Sequence, residues 1–341
     1  MTTFFLNRLA AEPHALAFAG QSTPWPVALA DQTTDPSLDE ALRGHVAAAG
    51  RLLTPVAADL LATTGRPVDL FGFAPNPARL GAAADATASV EGVALTQLGA
   101  LLDLEHLGYS VAQAKPLAVL GHSQGVLAVH MTRAIEAAGS IEAAGTTLDE
   151  ILAVAALIGA AGTRRVRELG LNPKYGEASP MLSVKGATRA QVEALVARVN
   201  NARGPISIAV TNSDNHHVLS GYPEDLAAFA LEAEREHQHQ AKLREQKLHG
   251  GTVFNPTLEY LEVTLPFHSP LMADAVEQTV AWAGACGFDQ KRTRALAEEV
   301  LLNHVDWNAR VKALFDDADP SKLWIVDLGP EAGTAGGRVV F

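Results

Sequence analysis

A serine stands at the centre of the pentapeptide Gly121-His122-Ser123-Gln124-Gly125. The apolar run 116–120 before it predicts a strand, and the apolar residues 126–131 after it predict a helix. A G-x-S-x-G turn between a strand and a helix exposes the serine hydroxyl beside the first N–H groups of the helix, which stabilise a developing negative charge. The sequence therefore predicts that Ser123 is a nucleophile that attacks a carbonyl carbon.

Removal of the serine proton requires a base whose pKa lies near neutrality, and histidine meets this requirement. The chain has 12 histidines. His268 follows the predicted strand 261–266 and precedes Ser269 and Pro270, which are typical of a helix start. From the end of a strand its ring could reach a serine turn on a neighbouring strand, so His268 is the predicted base. A hydrogen-bonded loop histidine is the alternative interpretation.

The bulk composition restricts the classes of protein to which the chain can belong. With 341 residues and 48% hydrophobic content it can bury a sizeable core, and its length predicts one large domain with a smaller one inserted. The formal net charge of −12 argues against a nucleic-acid partner. No uninterrupted apolar stretch approaches the ~20 residues of a spanning helix, and residues 1–10 lack a signal-peptide layout, so we expect a cytoplasmic protein without a membrane partner. Cys286, the single cysteine, cannot form an internal disulfide.

The charged segment 232–249 contains the candidates for a metal site, His237, His239 and His249. No cysteine or carboxylate cluster with ligand spacing accompanies them, so no metal site is predicted. The composition of the segment instead predicts an exposed helix or an extension of a small lobe.

Short apolar runs alternate with helical periodicity along most of the chain. The predicted strands are residues 15–19, 116–120 and 323–328, and the predicted helices are 38–64, 92–108 and 148–169. This order predicts an α/β-hydrolase-like core with a parallel sheet, formed by residues 1–175 and 255–341.

The pattern changes near residue 176. Strands are predicted at 180–184, 206–210 and 217–220, and helices at 189–199 and 223–236. This β-α-β-β-α order predicts a ferredoxin-like subdomain with a charged helical extension over residues 176–254.

Six short motifs follow one another along the chain. They are Phe18-Ala19-Gly20-Gln21, Gly121-His122-Ser123-Gln124-Gly125, Asn212 before Val218-Leu219-Ser220-Gly221, Phe267-His268-Ser269-Pro270-Leu271-Met272, Val305-Asp306-Trp307 and Asp327-Leu328-Gly329-Pro330. With these motifs in order over nearly its whole length, the chain resembles the malonyl/acyl-CoA:acyl-carrier-protein transacylases. Within that family, segments 121–128 and 157–162 look like the N-terminal acyltransferase (acetyltransferase) domain of mycobacterial and corynebacterial type I fatty acid synthases.

The resemblance implies a role for several residues. Ser123 would carry the acyl group as an ester, and His268 would act as base, with its other ring nitrogen oriented by a backbone carbonyl near Asp306 instead of by a carboxylate. The backbone N–H groups of Gln21 and Gln124 would form the oxyanion hole. The family's usual Gly-Gln-Gly appears here as Gly20-Gln21-Ser22, a departure directly after the second donor.

The resemblance also bears on the substrate. Malonyl-selective relatives place an arginine where this chain has Ile158, and a buried carboxylate without a cationic partner is costly to desolvate. We therefore expect acetyl or another short uncharged acyl group, carried in by coenzyme A. Arg164 or Arg165 could alternatively supply the cation, with Ile158 an ordinary packing residue. His122, Ile158 and Asn212 are the expected residues of the substrate pocket.

The implied partners are an acyl carrier protein with its phosphopantetheine thiol and the other domains of a type I fatty acid synthase, and no bound cofactor is expected. Because carrier proteins are acidic, the net charge of −12 makes long-range attraction poor. A basic patch could offset this, or its residues could be a solvated helix end: Arg164, Arg165, Arg167 and Lys174. Tethering in a synthase would make strong docking unnecessary. We expect the chain to be a segment of a longer polypeptide.

Three other functions are compatible with the same residues. The chain could load malonyl instead of acetyl. It could be a serine esterase or thioesterase, with Asp214 or Asp225 as the third member of a triad. It could also be a non-catalytic scaffold domain, although the presence of both Ser123 and His268 argues against this.

Overall fold

The computed structural model describes residues 11–21, 25–65, 67–73, 85–171, 178–199, 204–246, 253–316, 319 and 321–329. The strands are β1 (His14–Phe18), β2 (Ala118–Gly121), β3 (Met181–Lys185), β4 (Ser207–Ser213), β5 (His216–Ser220), β6 (Thr257–Tyr260), β7 (Val305–Asp306) and β8 (Trp324–Asp327). The helices are α1 (Trp25–Gln32), α2 (Pro36–Leu52), α3 (Ala57–Thr64), α4 (Ala86–His106), α5 (Val111–Ala114), α6 (Val126–Ala138), α7 (Ile141–Glu168), α8 (Arg189–Arg198), α9 (Pro223–Glu245), α10 (Ala273–Ala285), α11 (Gln290–Leu301) and α12 (Trp307–Asp316).

A parallel sheet with β1 at its centre forms the main body of the protein. β1 pairs with β2 on one side and with β8 on the other, and every residue of β1 is buried. The register sets Phe18 opposite Gly121, so the chain leaves β1 beside the start of the serine turn. The sheet and the surrounding helices confirm the predicted α/β core with parallel strands.

Helices α4 and α7 pack closely against each other in the main core. A Cβ atom on Gly159 of α7 would collide with the backbone carbonyl of Ala86, so the close approach of the two helices depends on this glycine. α7 is long and apolar enough to cross a membrane by length and composition alone. However, 61% of its most apolar window is buried inside the protein, and buried core helices pass the same test.

The small lobe is built on an antiparallel sheet in the order β6-β3-β5-β4, to which β7 adds in parallel beside β4. With α8 and α9 it has the β-α-β-β-α-β order of a ferredoxin-like unit. A separate apolar core, which includes Val184, Leu195 and Phe229, holds these helices against the sheet. The side chains of Thr188 and Gln191 cap the start of α8 reciprocally.

Two details of the small lobe differ from expectation. The predicted boundary at residue 254 excluded β6, which pairs with β3 through a register that sets Val184 opposite Leu258. The predicted strand 261–266 has no ladder partner, and its buried residues Val263 and Leu265 join the main core instead. α9 continues to Glu245, beyond the predicted helix end at residue 236, and so agrees with the charged helix predicted for segment 232–249. The division of the chain into two domains stays a prediction.

Residues 303–312 connect the main body to the small lobe. The strand pair β4–β7 sets Thr211 opposite Asp306, and the Thr211 hydroxyl lies 3.0 Å from His304 Nε2. On α12, Asn308 and Lys312 both donate to the Asp214 carboxylate, at 2.7 and 2.8 Å. The small lobe is therefore tied to the segment that also approaches the serine turn.

Candidate active site

Ser123 lies on a sharp turn between β2 and α6. Its φ is +51°, in the left-handed region, and residues Ser123–Gly125 form a short 3₁₀ turn before α6 begins. The flanking glycines are required by close packing, since a Cβ atom on Gly121 would lie 2.5 Å from the backbone nitrogen of Val126. Left-handed backbone at a residue other than glycine is strained and concentrates at functional sites.

His268 lies against Ser123 and has the same unusual backbone conformation. Its Nε2 atom is 2.8 Å from the serine Oγ, its φ is +56°, and its side chain is buried. Ser269 then caps the following 3₁₀ turn by accepting from the Leu271 N–H. The structure thus brings together the predicted nucleophile and the predicted base, at hydrogen-bonding distance.

The carbonyl that orients His268 belongs to Asn303 and not to Asp306, which corrects the expectation. The Nδ1 atom lies 2.8 Å from the Asn303 carbonyl oxygen. Asp306 lies three residues further on, in β7, where it pairs with Thr211 and its carboxylate accepts from the Ala309 N–H. The chain passes the histidine before it enters the strand, so the residue that meets the ring precedes the motif.

Burial keeps both histidines of the site uncharged. It lowers the pKa of His268 to about 3 from an ordinary 6.5, while the Asn303 hydrogen bond opposes this shift. Burial likewise lowers the pKa of His122 to about 4, against the hydrogen bond to Asn212. A neutral imidazole whose Nδ1 donates to a carbonyl presents a bare Nε2 to the serine, so it can accept the hydroxyl proton.

His122, the residue before Ser123, lines the cavity over the dyad and is hydrogen-bonded to the small lobe. Its Nε2 atom lies 2.9 Å from Asn212 Oδ1 of the small lobe. Its ring meets the Trp307 ring edge-to-face, with centroids 5.4 Å apart and planes at 77°. His122 therefore contacts both β4 and α12.

Gln21 and Gln124, the predicted oxyanion-hole residues, lie next to each other. Gln124 belongs to the first turn after Ser123, where N–H groups have no helical partner. Gln21 follows β1, and its side-chain Oε1 accepts from Gln124 Nε2 at 2.5 Å. Ser22, the departure from the family motif, lies outside the described residues.

A cavity of about 510 Å³ opens over Ser123 between the main body and the small lobe. Its lining includes Gln21, His122, Asn212 and His268. Alternating residues of β3 and β5 form the opposite wall, which sequence reasoning missed: Met181, Ser183, Lys185, His216 and Val218. The period-two spacing of these residues, in or directly beside the predicted strands 180–184 and 217–220, is the signal that could have found them.

Ile158, in contrast, does not line this cavity. It is fully buried in the main core. Arg164 and Arg165, the alternative cations, are also absent from the lining, because Arg164 binds Glu168 and Gln278 while Arg165 binds Asp274 and the Leu271 carbonyl.

The charged residues of the lining lie on the small-lobe side. Lys185, the cation among the described lining residues, has its Nζ atom 3.5 Å from Glu259, and Glu262 also lines the cavity. The rest of the wall mixes the polar residues around Ser123 with apolar ones such as Val210, Val263 and Phe267.

The aspartates considered for a hydrolase triad do not reach His268. Asp214 binds Asn308 and Lys312, and the Asp225 side chain is buried on α9 in the small lobe. The Nδ1 position that a triad carboxylate would occupy is taken by the Asn303 carbonyl.

Arg310 makes a second contact at the site that sequence reasoning missed. Its Nη1 atom donates to the carbonyl oxygen of Gly121, the last residue of β2, at 2.8 Å. The two residues are 189 positions apart, and no local pattern marks Arg310.

No group of three or more His, Cys, Asp or Glu side chains that could hold a metal ion occurs within the described ranges. His237 lies 2.7 Å from the Phe254 carbonyl through its Nδ1 atom. His249, a candidate metal ligand, lies outside the described residues. So does Lys174, a candidate member of the basic patch.

Comparisons with known proteins agree with this fold. A family profile described as the fatty acid synthase central AT domain matches residues 180–260. Over 168 residues, 46% of its length, the chain is 30% identical to fatty acid synthase 2 of Mycosarcoma maydis. Over 163 residues, 44% of its length, it is 29% identical to the fatty acid synthase beta subunit TOXC of Cochliobolus carbonum. The chain spans only 4% and 8% of the lengths of these relatives.

Solved structures share the fold at lower identity. The malonyl CoA-acyl carrier protein transacylase of Coxiella burnetii superposes with a TM-score of 0.62 at 16% identity, over 95% of this chain and 89% of that one. A malonyl-transacylase in complex with its type II polyketide synthase acyl-carrier protein gives 0.65 at 15% identity, over 96% and 93%. The closer resemblance to mycobacterial and corynebacterial synthases stays a prediction. The chain therefore has the fold of these transacylase structures, and part of its sequence is similar to fatty acid synthases.

Proposed function

We propose that this chain transfers a short uncharged acyl group, acetyl first of all, from coenzyme A to the phosphopantetheine thiol of an acyl carrier protein. The observation that carries the proposal is the 2.8 Å contact between Ser123 Oγ and His268 Nε2, with Nδ1 held by the Asn303 carbonyl. A thioester is an activated acyl donor, so a dyad without a carboxylate is adequate for the attack.

The proposed reaction uses these groups in two half-reactions. His268 Nε2 takes the proton of Ser123 as Oγ forms a bond to the thioester carbonyl carbon, and the N–H groups of Gln21 and Gln124 bind the resulting oxyanion. When the intermediate collapses, the carbon–sulfur bond breaks and the proton passes from His268 to the departing coenzyme A thiolate. The carrier thiol then attacks the acyl-serine by the same steps in reverse, and Ser123 recovers its proton.

The electrostatics of the cavity favour an uncharged acyl group. A malonyl carboxylate would enter a cavity whose described lining offers Lys185 as its cation, already 3.5 Å from Glu259, with Glu262 nearby. Ile158, at the position of the family's arginine, is an apolar core residue. A malonyl carboxylate in the cavity would lose hydration and find, among the described lining residues, only a cation that is already paired with a carboxylate.

The proposed partners follow from the relatives. The curated relatives are fatty acid synthases, and one structural neighbour is a transacylase bound to its acyl-carrier protein. We propose that this chain works as one domain of such a synthase. Tethering would then supply the carrier at high effective concentration despite the net charge of −12.

Intact-protein mass spectrometry after mixing with acetyl-CoA or malonyl-CoA tests the proposal. We expect rapid acetylation at Ser123, slower malonylation, and no labelling in Ser123→Ala. Addition of a pantetheine thiol should remove the acetyl group, with formation of the acetyl thioester. Faster malonyl loading would contradict the acetyl preference, whereas loss of the acyl group to water without a thiol would favour the hydrolase. Absence of loading by either thioester would favour the scaffold.

A further inference from the structure

Three polar side chains form a hydrogen-bonded series behind the serine turn. Gln124 Nε2 donates to Gln21 Oε1 at 2.5 Å, and Gln21 Nε2 donates to Ser89 Oγ at 2.8 Å. We call these three residues the glutamine relay. It joins the turn after β2, the loop after β1 and the first turns of α4.

The outer members of the relay are among the least accessible residues of the protein. Gln124 is 0% exposed and Ser89 is 1% exposed, so water does not readily replace either partner. Gln124 Oε1 is itself buried without a hydrogen-bond partner among the described residues. A buried side-chain amide with one unpaired atom already costs folding free energy. Loss of its hydrogen bond to Gln21 would leave a second polar atom of Gln124 unpaired.

The central residue of the relay is Gln21, whose backbone N–H is one of the two proposed oxyanion donors. Gln21 lies three residues beyond the end of β1. Its side-chain amide is held at both ends, by the serine turn on one side and by α4 on the other. Fixing this side chain restricts where the Gln21 backbone N–H can lie relative to Ser123.

We propose that the Gln124 side chain and the Ser89 hydroxyl are positioning residues that hold the Gln21 N–H in place for the oxyanion. This inference rests on the proposed function, because it assigns the relay to the same acyl transfer. The two proposed oxyanion donors are then coupled, because the side chain of Gln124 holds Gln21 in position. The role of Ser89 is assigned by the structure, because Ser89 and Gln21 are 68 positions apart.

The test compares Ser89→Ala, Gln124→Met and the double variant in single-turnover acetylation of Ser123. Oxyanion donors act in the transition state, so we expect each single variant to acetylate between about tenfold and about a hundredfold more slowly, with little change in the acetyl-CoA concentration at half-maximal rate. Because both changes act through Gln21, the double variant should be about as slow as the slower single variant. Effects that multiply in the double variant would overturn the proposal.

Thr96→Val is the matched control, since it also removes one buried hydroxyl from α4. The Thr96 hydroxyl donates to the Val93 carbonyl, and Thr96 lies seven residues along α4 from Ser89. We expect its acetylation rate to match that of the unaltered protein. If Ser89→Ala behaves like Thr96→Val, the relay has no positioning role and the proposal fails.

Thermal unfolding of each variant separates a local effect from a loss of structure. Ser89→Ala places the best helix former in a helix, so it is expected to fold and suffices for the test should Gln124→Met not fold. If the unaltered protein and Ser89→Ala are acetylated at the same rate, this inference fails and the proposed function stands. If neither acetyl-CoA nor malonyl-CoA acylates the unaltered protein, the inference and the proposed function both fail.

Discussion

The carbonyl oxygen of Asn303 lies 2.8 Å from Nδ1 of His268, on the side of the ring opposite Ser123. A carbonyl can only accept, so the Nδ1 atom carries the ring hydrogen and Nε2 is free to receive the serine proton. Unlike a carboxylate, the carbonyl adds no negative charge that would raise the pKa of the ring. The contact therefore sets the tautomer of the proposed base, whereas burial, opposed by this hydrogen bond, lowers its pKa.

The stability of the protein should fall as the pH is lowered below about 6.5. His268 and His122 have folded-state pKa values of about 3 and about 4, against 6.5 when unfolded. Below pH 6.5 the unfolded chain binds protons that the folded protein excludes, so each histidine costs about 2 kcal/mol of unfolding free energy by about pH 5. Urea unfolding at about pH 7.5 and about pH 5 measures this loss.

His268→Gln is the control for that measurement, because it removes one of the two titrating groups. Its loss of unfolding free energy between the two pH values should be smaller by about 2 kcal/mol than that of the unaltered protein. An equal loss in both proteins would show that His268 titrates normally when folded.

Acetylation of Ser123 should persist at acid pH. With its pKa lowered to about 3, His268 remains neutral near pH 5, whereas a histidine of ordinary pKa would be mostly protonated. We expect less than about a twofold fall in the single-turnover rate between about pH 7 and about pH 5, compared with about 20-fold for an unshifted base. A fall with a midpoint near 6.5 would contradict the burial argument.

Arg310 should matter more than Lys312, although both are cations on α12. Arg310 donates to the Gly121 carbonyl at the start of the serine turn, whereas Lys312 donates to an Asp214 carboxylate that is 80% exposed. Arg310→Gln is expected to lose about 1.5 kcal/mol of unfolding free energy and to slow acetylation. Lys312→Gln should lose less than about 1 kcal/mol and acetylate normally. If Arg310→Gln and Lys312→Gln change the unfolding free energy and the acetylation rate equally, Arg310 has no particular role at the serine turn.

Gly20 should not tolerate a side chain, while Gly145 should benefit from one. A Cβ atom on Gly20 would lie 2.7 Å from the His122 carbonyl oxygen and 2.8 Å from Ser123 Cβ, so Gly20→Ala must displace the serine turn and is expected to reduce acetylation strongly. Gly145 lies within α7 with open space around it, and Gly145→Ala should raise the unfolding free energy by about 0.5–1 kcal/mol. Normal acetylation by Gly20→Ala would show that the turn can shift without loss of function.

Local sequence patterns were sufficient where the chemistry depends on neighbouring residues. An apolar run, two glycines around a serine and a second apolar run predict the strand, turn and helix that present Ser123, because backbone preference and periodicity act over a few residues. The same kind of reasoning found His268 and the β-α-β-β-α order of the small lobe. It did not find β6, since pairing with β3 is a contact between segments distant in sequence.

Tertiary packing alone decided which distant groups meet at the site. The choice of Asn303 over Asp306, the contact of Arg310 with Gly121, and the burial of Ile158 away from the cavity all depend on how helices and sheets pack across the whole fold. So does the wall that β3 and β5 add to the cavity. The local sequence pattern determines which residues can take part in chemistry. Contacts between segments distant in sequence determine which partners each of these residues meets, and a short stretch of sequence does not specify those contacts.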